Sequence, residues 1–102
     1  MSEKHVVEYD ENTISVLEAV WGEGFMSPGG TEEVDRVLGS VDLSQANVLD
    51  IGCGIGGAAV HLALTRKPKA ITGVDIEENL INLSQELADK NGVSDICSFQ
   101  QV

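Results

Sequence analysis

The stretch Val48-Leu49-Asp50-Ile51-Gly52-Cys53-Gly54-Ile55-Gly56-Gly57 decides the fold. An apolar run of strand length leads directly into a cluster of glycines, and a segment rich in Ala and Leu follows. Apolar runs that end in glycine are typical of buried parallel strands, whereas Ala and Leu favour a helix. The stretch therefore predicts a strand over 46–51, a tight turn, and a helix over 56–65.

The same alternation continues toward the C-terminus. The pattern predicts a second strand over 70–75, an amphipathic helix over 78–91 that ends at Gly92, and a third strand over 95–102. Strands that alternate with helices are typical of a doubly wound, Rossmann-like parallel sheet. We therefore predict an α/β fold that contains a βαβαβ half of such a sheet.

The preceding residues have a different character. We predict an N-terminal region of arm and lid helices over 1–45, followed by the partial Rossmann-like core over 46–102. Apolar residues at helical spacing predict helices over 12–21 and 31–38, the second with Thr31 as its N-cap.

Charge and length restrict the possible functions. The chain has 102 residues, enough for one small domain, with 6 Lys and Arg against 17 Asp and Glu and a net charge of −11. Nucleic-acid binding and polybasic membrane anchoring both need clustered cations, so we expect neither partner. No apolar run approaches the ~20 residues of a membrane span.

The two cysteines, Cys53 and Cys97, are far apart and have no other ligand residues at metal-binding spacing. This pattern favours reduced thiols and no metal site. Because the N-terminus also lacks the features of a signal peptide, we expect a cytoplasmic location.

The glycine turn has the features of a nucleotide-binding turn. Missing side chains let a backbone approach a ligand, and the N-terminus of the following helix offers free N–H groups. Gly52, Gly54 and Gly57 match G-x-G-x-x-G, whereas Gly52, Gly54 and Gly56 match G-x-G-x-G. The glycines alone do not choose between these patterns, and a turn that serves only helix–strand packing would look the same.

Two acids at strand ends add information about the ligand. Asp50 would repel a diphosphate and attract a ligand that carries an ammonium and a sulfonium group. Asp75 ends the second strand, where an acid can bind both ribose hydroxyls of a nucleotide. NAD would use Asp75 in the same way. Structural alternatives are a bond from Asp50 to nearby loop N–H groups and helix capping by Asp75.

These residues resemble class I S-adenosylmethionine-dependent methyltransferases, and phosphoethanolamine N-methyltransferases in particular. One block of resemblance is 48–57, followed by Gly73-Val74-Asp75-Ile76 and Asn79. The more selective block is Trp21-Gly22-Glu23-Gly24-Phe25-Met26-Ser27-Pro28-Gly29-Gly30, which is similar to the family segment F-G-E-x-(Y/F)-(I/V)-S-x-G-G.

The resemblance implies roles for five residues around S-adenosylmethionine. Asp50, Gly52 and Gly54 would line its amino-acid end. Asp75 would hold the ribose, and Ile76 would lie against the adenine.

It also implies a closing element and a catalytic residue. Met26 and Ser27 would close over the cofactor, and Tyr9 would close the site and pair with a catalytic histidine. Neither His5 nor His61 matches that histidine, which the family carries further along the chain together with the groups that bind phosphate.

The resemblance therefore implies N-methylation of a small, phosphoethanolamine-like amine, with this chain as a truncated cofactor-binding portion that is inactive alone. Alternatives are a glycine- or sarcosine-type methyltransferase, a non-catalytic binding or assembly module, and half of a nicotinamide-dependent dehydrogenase. The uncovered edge of the first strand, 48–51, predicts one of two situations: the chain is a fragment of a longer enzyme, or it associates with itself through that edge.

Overall fold

Helices and strands alternate along most of the chain, as the sequence predicts. The computed structural model describes residues 11–26 and 30–102. In this part the elements are α1 (Glu11–Trp21), α2 (Gly30–Leu38), β1 (Asn47–Ile51), α3 (Gly57–Thr65), β2 (Ala70–Asp75), α4 (Glu78–Lys90) and β3 (Cys97–Gln101).

The three strands form one parallel sheet in the order β1-β2-β3. Asp50 of β1 lies opposite Gly73 of β2, which in turn lies opposite Phe99 of β3. The predicted α/β fold is thereby confirmed. Because parallel strands end at the same edge of a sheet, the residues after β1 and β2 meet at one edge, which places Asp50 and Asp75 there.

The hydrophobic core lies on one face of the sheet, where α3 and α4 pack. Its buried members come from these helices, from the strands and from the loop before β3: Ala59, Val60, Leu62, Ala63, Ile71, Ala88, Val93 and Cys97. Alternate residues of β1 point away from this core, and Leu49 and Ile51 are 59% and 78% exposed. Apolar side chains on the other face thus lack a covering element among the described residues.

The N-terminal helices contact the rest of the fold at two places. Ile14 of α1 is buried in a second apolar cluster with Ile55 of the glycine turn and Leu80 of α4. Oδ1 of Asp35 in α2 lies 2.8 Å from Nε2 of His61 in α3. Residues 24–26, which follow α1, lie at the carboxyl edge of the sheet.

Several predicted boundaries differ from those of the structure. Thr31 was predicted to be the N-cap of α2, but the helix begins at Gly30, so Thr31 lies inside it. The third strand begins only at Cys97, because the N–H groups of Ile96 and Cys97 both donate to the carbonyl of Val93 in a turn. In the described part of the chain, no helix is long and apolar enough to cross a membrane.

Candidate functional site

A cavity of about 500 Å³ opens at the carboxyl edge of the sheet. Its walls are the glycine turn after β1, the end of β2 and the segment 24–26 that follows α1. Crevices outside the carboxyl ends of parallel strands are the usual ligand sites of this fold class. The cavity therefore coincides with the turn that the sequence singles out.

The glycine turn requires glycine for conformational reasons. Gly52, Gly54 and Gly56 have φ values of +72°, +59° and +92°, which L side chains rarely adopt. The N–H groups of Gly52 and Cys53 both donate to the carbonyl of Val74, at 2.8 and 3.0 Å. The turn is thereby fixed against β2, and backbone faces the cavity.

The segment after α1 closes tightly on the first turn of α3. Gly57 N–H donates to the carbonyl of Gly24 at 2.8 Å, and Gly24 N–H donates to the carboxylate of Glu18 at 2.7 Å. A Cβ atom on Gly57 would lie only 2.2 Å from the Gly24 carbonyl oxygen. One of the N–H groups that a helix N-terminus offers to an anion is therefore already bonded.

Ser84 of α4 packs against the glycine turn and bonds to its backbone. Its hydroxyl is fully buried and donates to the carbonyl of Gly54 at 2.8 Å. A Cβ atom on Gly56 would lie 3.0 Å from Ser84, so the turn and α4 are in close contact. The sequence analysis missed this residue, although a small polar residue one helical turn after Leu80 on the apolar stripe is a signal of such a contact.

Asp75 lies at the cavity, as predicted, and it also holds the turn together. Its Oδ2 accepts Gly54 N–H at 3.0 Å, while Oδ1 accepts the N–H groups of Ile76 and Glu77 at 2.8 and 3.3 Å. The structural alternative, helix capping by Asp75, is not seen, because the N–H groups that bond Oδ1 belong to Ile76 and to the N-cap residue Glu77, both before the first residue of α4.

The carboxylate of Asp50, unlike that of Asp75, has an oxygen without a hydrogen-bond donor among the described residues. Its Oδ2 is buried and has no hydrogen-bond partner among the described residues. Burial of the carboxyl group, and then the nearby charge of Asp75, raise the pKa of Asp50 above its ordinary value. A buried carboxylate oxygen without a partner is unfavourable, and a cation in the cavity would stabilise it.

The cavity is acidic. Four carboxylate side chains line it, and the described lining residues include no Lys, Arg or His: the four are Glu33, Asp50, Asp75 and Glu77. Glu33 is paired with Arg36 of α2 at 2.6 Å. The sequence analysis missed both Glu33 and Glu77, because neither belongs to a motif. This charge distribution favours a cationic ligand over an anionic one.

Of the remaining predicted site residues, two line the cavity and two lie outside the described residues. Met26 and Ile76 line the cavity, and Ile76 is 74% exposed there. The methyl group of Met26 lies 3.2 Å from where a Cβ atom on Gly54 would be. Tyr9 and Ser27 lie outside the described residues, so their roles stay predictions.

Both thiols are buried. Cys53 lies in the turn, where burial is the main reason that its pKa is raised. Cys97 begins β3 in the core, and burial raises its pKa to about 11. In the described residues, no group of three or more His, Cys, Asp or Glu side chains is placed to hold a metal ion.

The chain has recognisable relatives. Residues 42–102 match the family described as "Methyltransferase domain". The chain is 34% identical over 86 residues to the phosphoethanolamine N-methyltransferase of Plasmodium falciparum, covering 82% of this chain and 32% of that protein. It is 36% identical over 95 residues to the ribosomal protein L11 methyltransferase of Escherichia coli, covering 84% of this chain and 29% of that protein.

A solved structure is also similar. Phosphoethanolamine N-methyltransferase 2 of Haemonchus contortus, in complex with S-adenosyl-L-methionine, has a TM-score of 0.80 at 28% identity over 94% of this chain and 22% of that chain. The chain spans about a third or less of the length of these curated relatives.

Proposed function

Because the chain belongs to the methyltransferase domain family, we propose that it forms the cofactor-binding part of an S-adenosylmethionine-dependent methyltransferase that acts on a small, phosphoethanolamine-like amine. The observation that carries this proposal is the buried, unpartnered Oδ2 of Asp50 in an acidic cavity.

The residues around the cavity fit such a cofactor. Asp50 would accept hydrogen bonds from its ammonium group, and the backbone of Gly52 and Gly54 would allow the amino-acid end to approach closely. Asp75 would bind the ribose, and Ile76 would offer apolar surface to the adenine. When bound, the cofactor supplies an electrophilic methyl group on a cationic sulfur.

A dinucleotide fits less well. Its diphosphate would face four carboxylates, with no cationic side chain among the described lining residues. In addition, Gly57 N–H at the start of α3 is bonded to the Gly24 carbonyl. These features argue against half of a nicotinamide-dependent dehydrogenase.

The amine acceptor is proposed on sequence similarity. The Plasmodium relative supports phosphoethanolamine, and a glycine- or sarcosine-type amine is the alternative. The acidic cavity is unsuited to a phosphate group, so we propose that this part of the protein holds the methyl donor. Tyr9 as catalytic residue, Ser27 as a closing residue, the division at 45/46 and a cytoplasmic location belong to the same proposal.

Calorimetric titration tests the cofactor. We expect saturable binding of S-adenosylmethionine and of S-adenosylhomocysteine. We expect no saturable heat from NAD at equal concentrations, because all charged side chains among the described lining residues are carboxylates. AMP, which carries adenosine with a single phosphate, is the control for the effect of the diphosphate. Binding of NAD without binding of S-adenosylhomocysteine would overturn the proposed function, and no binding of either would favour an assembly module.

We also propose self-association through β1. The strand has one neighbour in the described sheet, and Leu49 and Ile51 are exposed beside its free edge. Sedimentation velocity should show an oligomer that Ile51→Lys dissociates. Val37→Lys, at a 72% exposed position on α2, is the matched control and should leave the oligomer intact. A wild-type monomer at high concentration would contradict this proposal.

A further inference from the structure

Two elements of the fold hold Gly54 in the glycine turn. Its N–H donates to Oδ2 of Asp75 at the end of β2, and its carbonyl accepts the hydroxyl of Ser84 in α4 at 2.8 Å. These bonds fix the peptide groups on both sides of Gly54, which has φ of +59°. Because glycine populates both signs of φ, a turn without these bonds would sample other conformations.

Packing alone does not explain a serine at position 84. The positions one turn before and after it on the same helical stripe, Leu80 and Ala88, are buried and apolar. A Cβ atom on Gly56 would lie 3.0 Å from the Cα and Cβ atoms of Ser84, so α4 approaches the turn closely and a small side chain suits this position. Alanine would be small enough without the cost of burying a hydroxyl group. The contribution that is particular to serine is therefore its bond to the Gly54 carbonyl.

Gly54 connects this buried hydroxyl to the cavity. Gly54 lines the cavity, whereas Ser84 is not among the described lining residues. The methyl group of Met26, in the opposite wall, lies 3.2 Å from where a Cβ atom on Gly54 would be. Ser84 can therefore act on a ligand through the turn, by raising the share of molecules whose turn has the conformation that binds.

We propose that Ser84 is a positioning residue: its hydroxyl holds the Gly54 carbonyl toward α4 and thereby keeps the glycine turn in the conformation that receives the amino-acid end of the cofactor. The inference rests on the proposed function, because it assumes that the turn binds this end. Helix α4 then contributes to cofactor affinity through a residue 30 positions from Gly54.

Calorimetric binding of S-adenosylhomocysteine, and its displacement by 5′-methylthioadenosine, test this role in the full chain. The second ligand keeps the ribose and the adenine but lacks the amino-acid end. We expect Ser84→Ala to weaken binding of S-adenosylhomocysteine by about fivefold, the factor that corresponds to one neutral hydrogen bond. Binding of 5′-methylthioadenosine should weaken by less than about twofold, because this ligand lacks the group that meets the turn. A merely structural role of Ser84 would leave the ratio of the two affinities unchanged, since the folded fraction of the chain cancels in that ratio.

Two further variants separate the hydroxyl from other effects. Ser84→Cys keeps a weak donor in a side chain of similar size, and its affinity for S-adenosylhomocysteine should fall between those of the wild type and Ser84→Ala. Ser15→Ala is the matched control, because it removes an exposed helical serine in α1, and it should change neither affinity. Thermal unfolding verifies the folding of each variant, and Ser84→Cys carries the test if Ser84→Ala does not fold.

The outcomes separate the two levels of inference. Equal affinity of the wild type and Ser84→Ala for S-adenosylhomocysteine, or an equal loss for the two ligands, overturns the role of Ser84 alone. Weaker binding by Ser84→Cys than by Ser84→Ala would assign the effect to side-chain size and also overturns it. Failure of the wild type to bind S-adenosylhomocysteine overturns the proposed function itself.

Discussion

Replacing Asp50 with Asn is expected to weaken binding of S-adenosylmethionine by about thirtyfold or more, and at the same time to stabilise the ligand-free chain. The affinity loss follows because truncating one member of a buried, hydrogen-bonded charge pair costs about 2 kcal/mol or more. The gain in stability follows because the buried Oδ2 of Asp50 lacks a partner, and Asn removes the charge from that position.

The effect of Asp50→Asn on the stability of the ligand-free chain depends on pH, and its sign follows from the pKa of Asp50. The pKa of Asp50 is raised by burial and by Asp75, so the folded state binds this proton more tightly than the unfolded state. Stability contributed by this group is present at low pH and is lost as pH rises from the ordinary carboxyl range through the raised pKa. The stabilisation by Asp50→Asn should therefore be absent below about pH 4 and should grow as the pH rises through the raised pKa.

Thermal unfolding as a function of pH, with calorimetry at neutral pH, measures both effects. Asp95→Asn, which removes an exposed carboxylate next to β3, is the matched control and should leave affinity unchanged. A variant Asp50→Asn that binds like the wild type, or that is less stable at neutral pH, would contradict the role assigned to this carboxylate.

Gly57→Ala is expected to destabilise the fold by about 2 kcal/mol, within the usual range for overpacking, and to weaken cofactor binding. Gly57 is a helical residue, so helix propensity alone predicts a gain of up to about 1 kcal/mol from Ala. The clash decides the sign, because the new Cβ would lie 2.2 Å from the carbonyl oxygen of Gly24. The segment 24–26 would have to move away from α3, and with it one wall of the cavity.

Chemical denaturation measures the stability of Gly57→Ala, and calorimetry measures its affinity for the cofactor. Gly92→Ala is the control, because Gly92 has φ of +71° but no atom within 4 Å of an added Cβ. It should cost about 1 kcal/mol from backbone conformation alone and leave cofactor affinity unchanged. Stabilisation by Gly57→Ala would mean that the close approach of the two backbones does not exist in solution.

The sequence predicted the parts of the site that follow from local rules. The strand–glycine–helix pattern placed Asp50 and the turn, and parallel strand ends brought Asp75 to the same edge. Strand β2 was predicted with its observed bounds, Ala70–Asp75. Boundaries that depend on turn geometry, such as the start of β3, were predicted less well.

Contacts between distant segments could not be predicted, because periodicity gives the face of a helix but not the atom that a side chain reaches. Ser84 contacts Gly54 across 30 positions. The three backbone donors on Asp75 likewise depend on the folded turn.

The burial of the two thiols has a practical consequence. Both Cys53 and Cys97 have raised pKa values, so neither is appreciably a thiolate at neutral pH. Oxidants and alkylating reagents should therefore react slowly with the folded chain, and the cavity beside Cys53 should keep its shape in reducing and in oxidising surroundings alike.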